Sequence, residues 1–167
     1  MTARLALIGA PGAGKTSVGE ELARRWGCPL LDTDAEFERL HARSVADAVI
    51  DDEAAFREEE TRITVDALLT AGAVVAVGSG AVLTEPVQEA LRPVPTVWLS
   101  VGLPEAARRT GLGGARPVAL GNIRGQLHTM LEQRGKVYSE LATITVGTDG
   151  RSVAAVADEI GEREAQL

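Results

Sequence analysis

Between Gly9 and Thr16 the chain reads GAPGAGKT, with a short apolar run before it and an amphipathic pattern after it. This spacing fits G-x-x-x-x-G-K-[ST] and leaves few folds open. A strand must deliver the chain to the loop, and a helix must start at its end. The glycines let consecutive N–H groups turn inward on an anion, and the helix adds its positive N-terminal end. Lys15 is then placed to reach the β- and γ-phosphates of a nucleoside triphosphate, and the Thr16 hydroxyl to ligate Mg²⁺. Gly12, Ala13, Gly14, Lys15, Thr16 and Ser17 are therefore expected to bind ATP, with Mg²⁺ as the cofactor. A glycine-rich turn that only links strand to helix would not need this spacing.

The rest of the chain matches that demand. Five short apolar runs, LALIG, PLLD, AVVAVG, TVWLS and TITVG, alternate with longer helical patterns. Each run is nearly continuous in apolar character, as strands covered on both faces are. Strands alternating with helices imply right-handed crossovers and a parallel sheet between helix layers. We expect a three-layer α/β/α fold on a five-stranded parallel sheet, with ligands at the carboxyl ends of the strands. At 167 residues the chain reads as a single domain over 1–167. Ser44 opens SVAD, a capping-box pattern with Asp in its fourth position, and Thr84 precedes EPVQEAL as a helix start. In IRGQLHTMLEQRGKVYSELA, Tyr138 counts among the apolar positions, and Gly125 and Gly135 weaken the helical pattern.

Composition narrows the partners. A formal charge of −7 argues against nucleic-acid coating and against binding an anionic membrane. An acidic protein that handles anions must gather its cations locally, so isolated arginines matter. Cys28, the single cysteine, lies before Pro29; it reads as a small hydrophobe and fits a reducing compartment. His41 and His128 are far apart and read as surface or packing residues. The apolar runs are short, and the first is interrupted by Arg4 and Gly9. No signal peptide or membrane span is expected, and the reading is a cytoplasmic monomer.

The segments after the second and third strands suggest an acceptor. In LDTDAEF, Asp32 lies at a strand tip and Asp34 two residues on. One carboxylate there can serve Mg²⁺, and a second can take a proton from an attacking hydroxyl. Alternatively, Asp34 only caps the helix AEFERLHA. The run DDEAAFREEE reads first as a solvated helix face. On a helix, however, Arg57 falls near Glu53 and Glu60, at i−4 and i+3, which would hold its guanidinium. A braced arginine can meet a carboxylate with two parallel bonds. The third strand ends in VGSGAV, where Gly78 and Gly80 allow close backbone approach. Gly111, Gly113 and Gly114, between Arg109 and Arg116, predict a mobile loop bearing cations, suited to close over phosphates.

Taken in order, GAPGAGKTSVG, DTD, FREEE, GSGAV, RTGLGGARP and RGKVY make the chain resemble the shikimate kinases over nearly its whole length. The resemblance implies a P-loop NTPase fold and transfer of the ATP γ-phosphoryl to the 3-hydroxyl of shikimate, toward aromatic amino acids. It implies an acceptor region at about 33–61 and a lid at about 109–121. Asp34 would hold a ring hydroxyl, and Arg57 and Arg134 would clamp the ring carboxylate, with Gly78, Ser79 and Gly80 beside it. Thr16 and Asp32 would serve Mg²⁺, and Glu60 would orient Arg57. Arg116 would come from the lid onto the phosphates, and Lys15, Asp34 and Arg116 would carry catalysis. Arg109 and Arg151 would lie toward the adenine. The chain departs from the family pattern at Ser79, the middle position of a three-glycine turn. It also departs at Val49, where a phenylalanine is expected, and in RGKVY, which lacks a proline and a leucine.

Two other functions fit parts of the sequence. A gluconate-type kinase shares the phosphate cradle, but two arginines suited to one carboxylate, beside the D-x-D of Asp32 and Asp34, favour shikimate. A nucleotide-binding module without catalysis has no need to keep Lys15, Thr16, Asp32 and Asp34 together.

Overall fold

The computed structural model of the chain describes residues 1–110 and 117–167; over 117–124 it describes the backbone alone. The five apolar runs form β1 (Leu5–Ile8), β2 (Leu30–Asp32), β3 (Val74–Ala76), β4 (Thr96–Ser100) and β5 (Ile144–Gly147). All pair in parallel, in the order β2-β3-β1-β4-β5. The helices between them are α1 (Lys15–Trp26), α2 (Thr33–His41), α3 (Val45–Leu68), α4 (Glu85–Leu91), α5 (Leu103–Arg109), α6 (Pro117–Leu141) and α7 (Val153–Glu164).

Alternation along the strands divides the core in two. Leu5 and Leu7 of β1 point to the side of α1 and α7, where they meet Val18, Leu22, Val156 and Ile160. Ala6 and Ile8 point to the other side, where Leu68 of α3, Val87 and Leu91 of α4 and Tyr138 of α6 cover them. Every residue of β1 is buried, which is why its sequence is apolar without interruption. These are the three layers the sequence predicts. Cys28 packs at the margin of the α1–α7 side.

A third, smaller cluster lies off the sheet. Phe37 of α2 meets Phe56 of α3 edge-on, with ring centroids 4.9 Å apart, and His41 stacks on Phe37 at 4.6 Å. Val49 packs against this cluster. It holds α2 and α3 together as a wall beside the carboxyl end of β2.

The helix starts obey the capping chemistry with two corrections. Ser44 Oγ accepts from Asp47 N–H, as the capping pattern requires. Thr84 does not cap α4 through its side chain; its hydroxyl donates to Ala81 O instead. The cap of α2 is Asp32, not Asp34: Asp32 Oδ1 accepts from Asp34 N–H at 3.1 Å and Ala35 N–H at 3.0 Å. Within α3 the backbone leaves helical geometry at Asp52 (φ −152°, ψ 92°), and Asp52 Oδ1 accepts from Ala55 N–H. The charge run thus contains a kink and a second helix start. Helix α6 runs unbroken past Gly125 and Gly135.

Candidate active site

The loops after β1, β2 and β3, at the carboxyl edge of the sheet, contribute to one cleft. The first is the phosphate cradle between β1 and α1. Gly9, Gly12 and Gly14 all have positive φ (151°, 77° and 95°), which only glycine adopts without strain. A Cβ on Gly9 would stand 2.6 Å from Leu99 O, so β4 also forbids a side chain there. Lys15 bends back over the loop and donates to Gly9 O at 2.8 Å and Ala10 O at 3.1 Å. Burial pushes its ammonium down to about 8, against the pull of Asp34 and Asp32.

The second loop, Asp32–Asp34, stands beside that cradle. Thr16 Oγ1 donates to Asp32 Oδ2 at 2.5 Å, so both oxygens proposed for the metal meet at the start of α1. Asp32 does two jobs: one carboxylate oxygen caps α2 and the other faces Thr16. Asp34, released from capping, points toward the sheet. Burial pushes its carboxyl up to about 6, helped by the neighbouring charges of Asp32 and Glu60 and opposed by Lys15. Lys15, Thr16, Asp32, Asp34 and Gly78 line one cleft of about 360 Å³.

The third loop, Gly78–Gly80 after β3, is where the proposed acceptor groups converge. A Cβ on Gly78 would come within 2.8 Å of both Asp34 Oδ1 and Glu60 Oε1. A Cβ on Gly80 would come within 2.5 Å of Arg57 Nη1. Arg57 is held by Glu60, 2.6 Å away and 4% exposed, and more loosely by Glu53 at 3.6 Å. The brace read from the i−4 and i+3 spacing is therefore present. Arg134 reaches the same turn from α6 and donates to Ser79 Oγ at 2.9 Å.

The arginines expected on the nucleotide side lie across the cradle. Arg109 Nη1 donates to Gly12 O at 3.1 Å and to Thr148 Oγ1 at 3.1 Å, and its Nη2 to Thr148 O at 2.9 Å. Glu105 holds its Nε at 2.9 Å. Arg151 pairs with Glu159 at 2.7 Å. Both arginines line a groove of about 360 Å³ with Ala13, Gly14, Ser17 and Val18. Arg116 and the glycines of the proposed lid lie outside the described residues.

Three contributors are not foreseen from the sequence. Thr33 Oγ1, buried, accepts from Gly78 N–H at 2.9 Å and ties the second loop to the third. Tyr138, expected only as an apolar position, donates to Ser79 O at 2.6 Å. Glu105 is legible in principle, because it stands four residues before Arg109 on α5.

Oxygen donors at Thr16 and Asp32 suit Mg²⁺, which prefers a few hard protein ligands and completes its shell with phosphate and water. The converging loops agree with what other proteins show. The family model described as shikimate kinase matches residues 11–164. The shikimate kinase of Thermobifida fusca is 45% identical over 157 residues, covering 93% of this chain and 91% of that one. That of Salinispora tropica is 44% identical over 155 residues, covering 92% and 93%. The solved shikimate kinase of Acinetobacter baumannii in complex with shikimate superposes with a TM-score of 0.86 at 28% identity, covering 99% of this chain and 94% of that one. With cradle and paired aspartates in one cleft, and the two arginines seated on the turn that leaves it at Gly78, the chain belongs to the shikimate kinase family.

Proposed function

We propose that this protein transfers the γ-phosphoryl group of ATP to the 3-hydroxyl of shikimate, yielding shikimate 3-phosphate and ADP. The observation that carries this reading is the convergence of Asp34, Arg57 and Arg134 on the Gly78–Gly80 turn, next to Lys15. A ligand with a carboxylate at one end and hydroxyls at the other fits that distribution of charge. Arg57 and Arg134 take the carboxylate, and Asp34 takes the hydroxyl.

The chemistry asked of these residues is mostly positioning and charge stabilisation. The N–H groups of Gly12–Ser17 and the Lys15 ammonium bind the phosphate tail and neutralise its developing charge. Asp34 accepts the proton of the acceptor hydroxyl as its oxygen bonds to the γ-phosphorus and the bond to the β–γ bridging oxygen breaks. Thr16 and Asp32 would hold Mg²⁺, which supplies further neutralisation of the β- and γ-phosphates when bound. Arg109 and Arg151 flank the nucleotide groove, and Arg116 is proposed to reach the phosphates from the lid.

ATP consumption across a panel of hydroxylated carboxylic acids tests the reading. Saturable turnover with shikimate is expected, with gluconate much poorer. Turnover only with an acceptor lacking a carboxylate overturns the two-arginine clamp.

The clamp makes a sharper demand at Gly80. Glu60 and Glu53 restrain Arg57, so a methyl group at residue 80 forces the guanidinium out of place. Gly80→Ala should raise the acceptor KM roughly tenfold, about the loss of one charge-assisted hydrogen bond, and leave the ATP KM within about twofold. Steady-state kinetics in each substrate checks this; equal losses for both substrates would mean general damage to the cleft.

A further inference from the structure

Residue 79 carries a side chain in the turn that seats both proposed carboxylate arginines. Arg57 lies against Gly80 and Arg134 against Ser79, so consecutive residues of one turn each seat a guanidinium group. The two arginines are held in different ways. Arg57 is neutralised by Glu60 and Glu53. Every other arginine whose side chain is described also lies within ion-pair reach of a carboxylate, and Arg134 alone does not. Residues 111–124 cannot supply the missing partner, because that segment contains no Asp or Glu. Arg134 is half-buried and is met by a neutral hydroxyl.

Both oxygens of Ser79 are tied to α6. Its hydroxyl accepts from Arg134 at 2.9 Å, and its carbonyl accepts from Tyr138 at 2.6 Å. Arg134 and Tyr138 stand one helical turn apart, so the two bonds fix the turn against the helix. Tyr138 is itself anchored, 1% exposed, with its ring 5.9 Å from that of Trp98. A carboxylate at position 79 would quench the Arg134 charge, and a residue without a polar side chain would remove the hydrogen bond that Ser79 Oγ accepts from it. A hydroxyl orients it and leaves its charge for a ligand.

We propose that Ser79 is a positioning residue for the acceptor: its hydroxyl holds Arg134 beside Arg57 in the orientation that receives the acceptor carboxylate. This deepens the proposed function and rests on shikimate being the acceptor. It acts through Arg134, so its loss falls on acceptor binding and not on phosphoryl transfer or ATP.

The test is steady-state kinetics on wild type, Ser79→Ala, Arg134→Ala and the double variant, with shikimate and ATP varied separately. Ser79→Ala should raise the shikimate KM about threefold to tenfold, the net loss of one ordinary hydrogen bond, because the lost bond only orients Arg134, with kcat and the ATP KM within about twofold. In the Arg134→Ala background the same substitution should leave kcat/KM for shikimate unchanged, because the group it positions is gone. An unchanged shikimate KM in Ser79→Ala overturns the proposal. So does a loss that persists undiminished without Arg134, which would mean that Ser79 only shapes the turn. A wild type that turns over no shikimate overturns the acceptor reading and this inference with it.

Discussion

Lys15→Ala should lower phosphoryl transfer by on the order of 10²–10³ or more, the usual loss when an electrostatic group at a developing charge is removed. The same variant should melt no lower than wild type without nucleotide. Lys15 spends its hydrogen bonds on Gly9 O and Ala10 O, fills no part of either core cluster, and holds its charge in a desolvated place. Its ammonium titrates near 8 in the folded chain, below the ordinary 10.5. The charged form therefore costs stability at every pH below about 8, and the cost is relieved as pH rises from there toward the ordinary value. Removing the lysine removes that cost, so the melting advantage of Lys15→Ala should be largest near neutral pH and shrink above pH 8. Turnover and melting measured side by side decide the matter. Near-normal turnover would remove Lys15 from the phosphoryl-transfer step, and a collapse of the fold would make it a structural residue.

Much of this architecture is legible in the sequence because its signals are local. The five strands are short apolar runs bounded by turn residues, and the structure finds all five. The brace on Arg57 is legible for the same reason, since i−4 and i+3 neighbours on a helix meet whatever the rest of the chain does. What escapes is set at long range. The order of the strands, and with it the adjacency of the loops after β1, β2 and β3, depends on pairings between distant segments. The 4% exposure of Glu60 comes from packing that no charge run announces; DDEAAFREEE looks uniformly solvated, yet one of its acids is buried against Gly78.

The glycine turn has a physical cause other than the one its sequence suggests. Gly78 and Gly80 suggest a backbone that approaches a ligand closely. In the structure they leave room for the protein's own side chains: Asp34 and Glu60 at one, Arg57 at the other. The turn is the common surface on which groups from α2 and α3 are seated, and Arg134 of α6 joins them through Ser79. Asp32 and Asp34 divide their work on similar grounds. Asp32 satisfies the first N–H groups of α2, which frees Asp34 to face the cleft. Nothing in LDTDAEF alone distinguishes the two carboxylates, because both stand near a helix start.

Asp34→Asn should then separate activity from stability in opposite directions. The carboxylate accepts the acceptor proton in the proposed reaction, and loss of a positioned acid–base group commonly costs about 10²–10⁴ in rate. Its carboxyl titrates near 6 in the folded chain, above the ordinary 3.8, because burial and the charges of Asp32 and Glu60 disfavour ionisation. Wild-type kcat/KM should therefore fall as pH drops through about 6, and the variant's small residual activity should lack that limb. Stability runs the other way. Below the ordinary value the group is protonated whether folded or unfolded and costs nothing. As pH rises from there through about 6 the unfolded chain ionises first, so the cost of the buried carboxylate accumulates and is fully present above that pH. The amide of the variant carries no such charge, so Asp34→Asn should gain on the order of 1–3 kcal/mol at neutral pH, a gain that vanishes toward pH 4. Denaturant unfolding at several pH values, beside the pH–rate profile, reads both effects. A variant that keeps its turnover rules Asp34 out as proton acceptor; one that is less stable at pH 7 makes the carboxylate an anchor of the cleft and not a strained group held ready for chemistry.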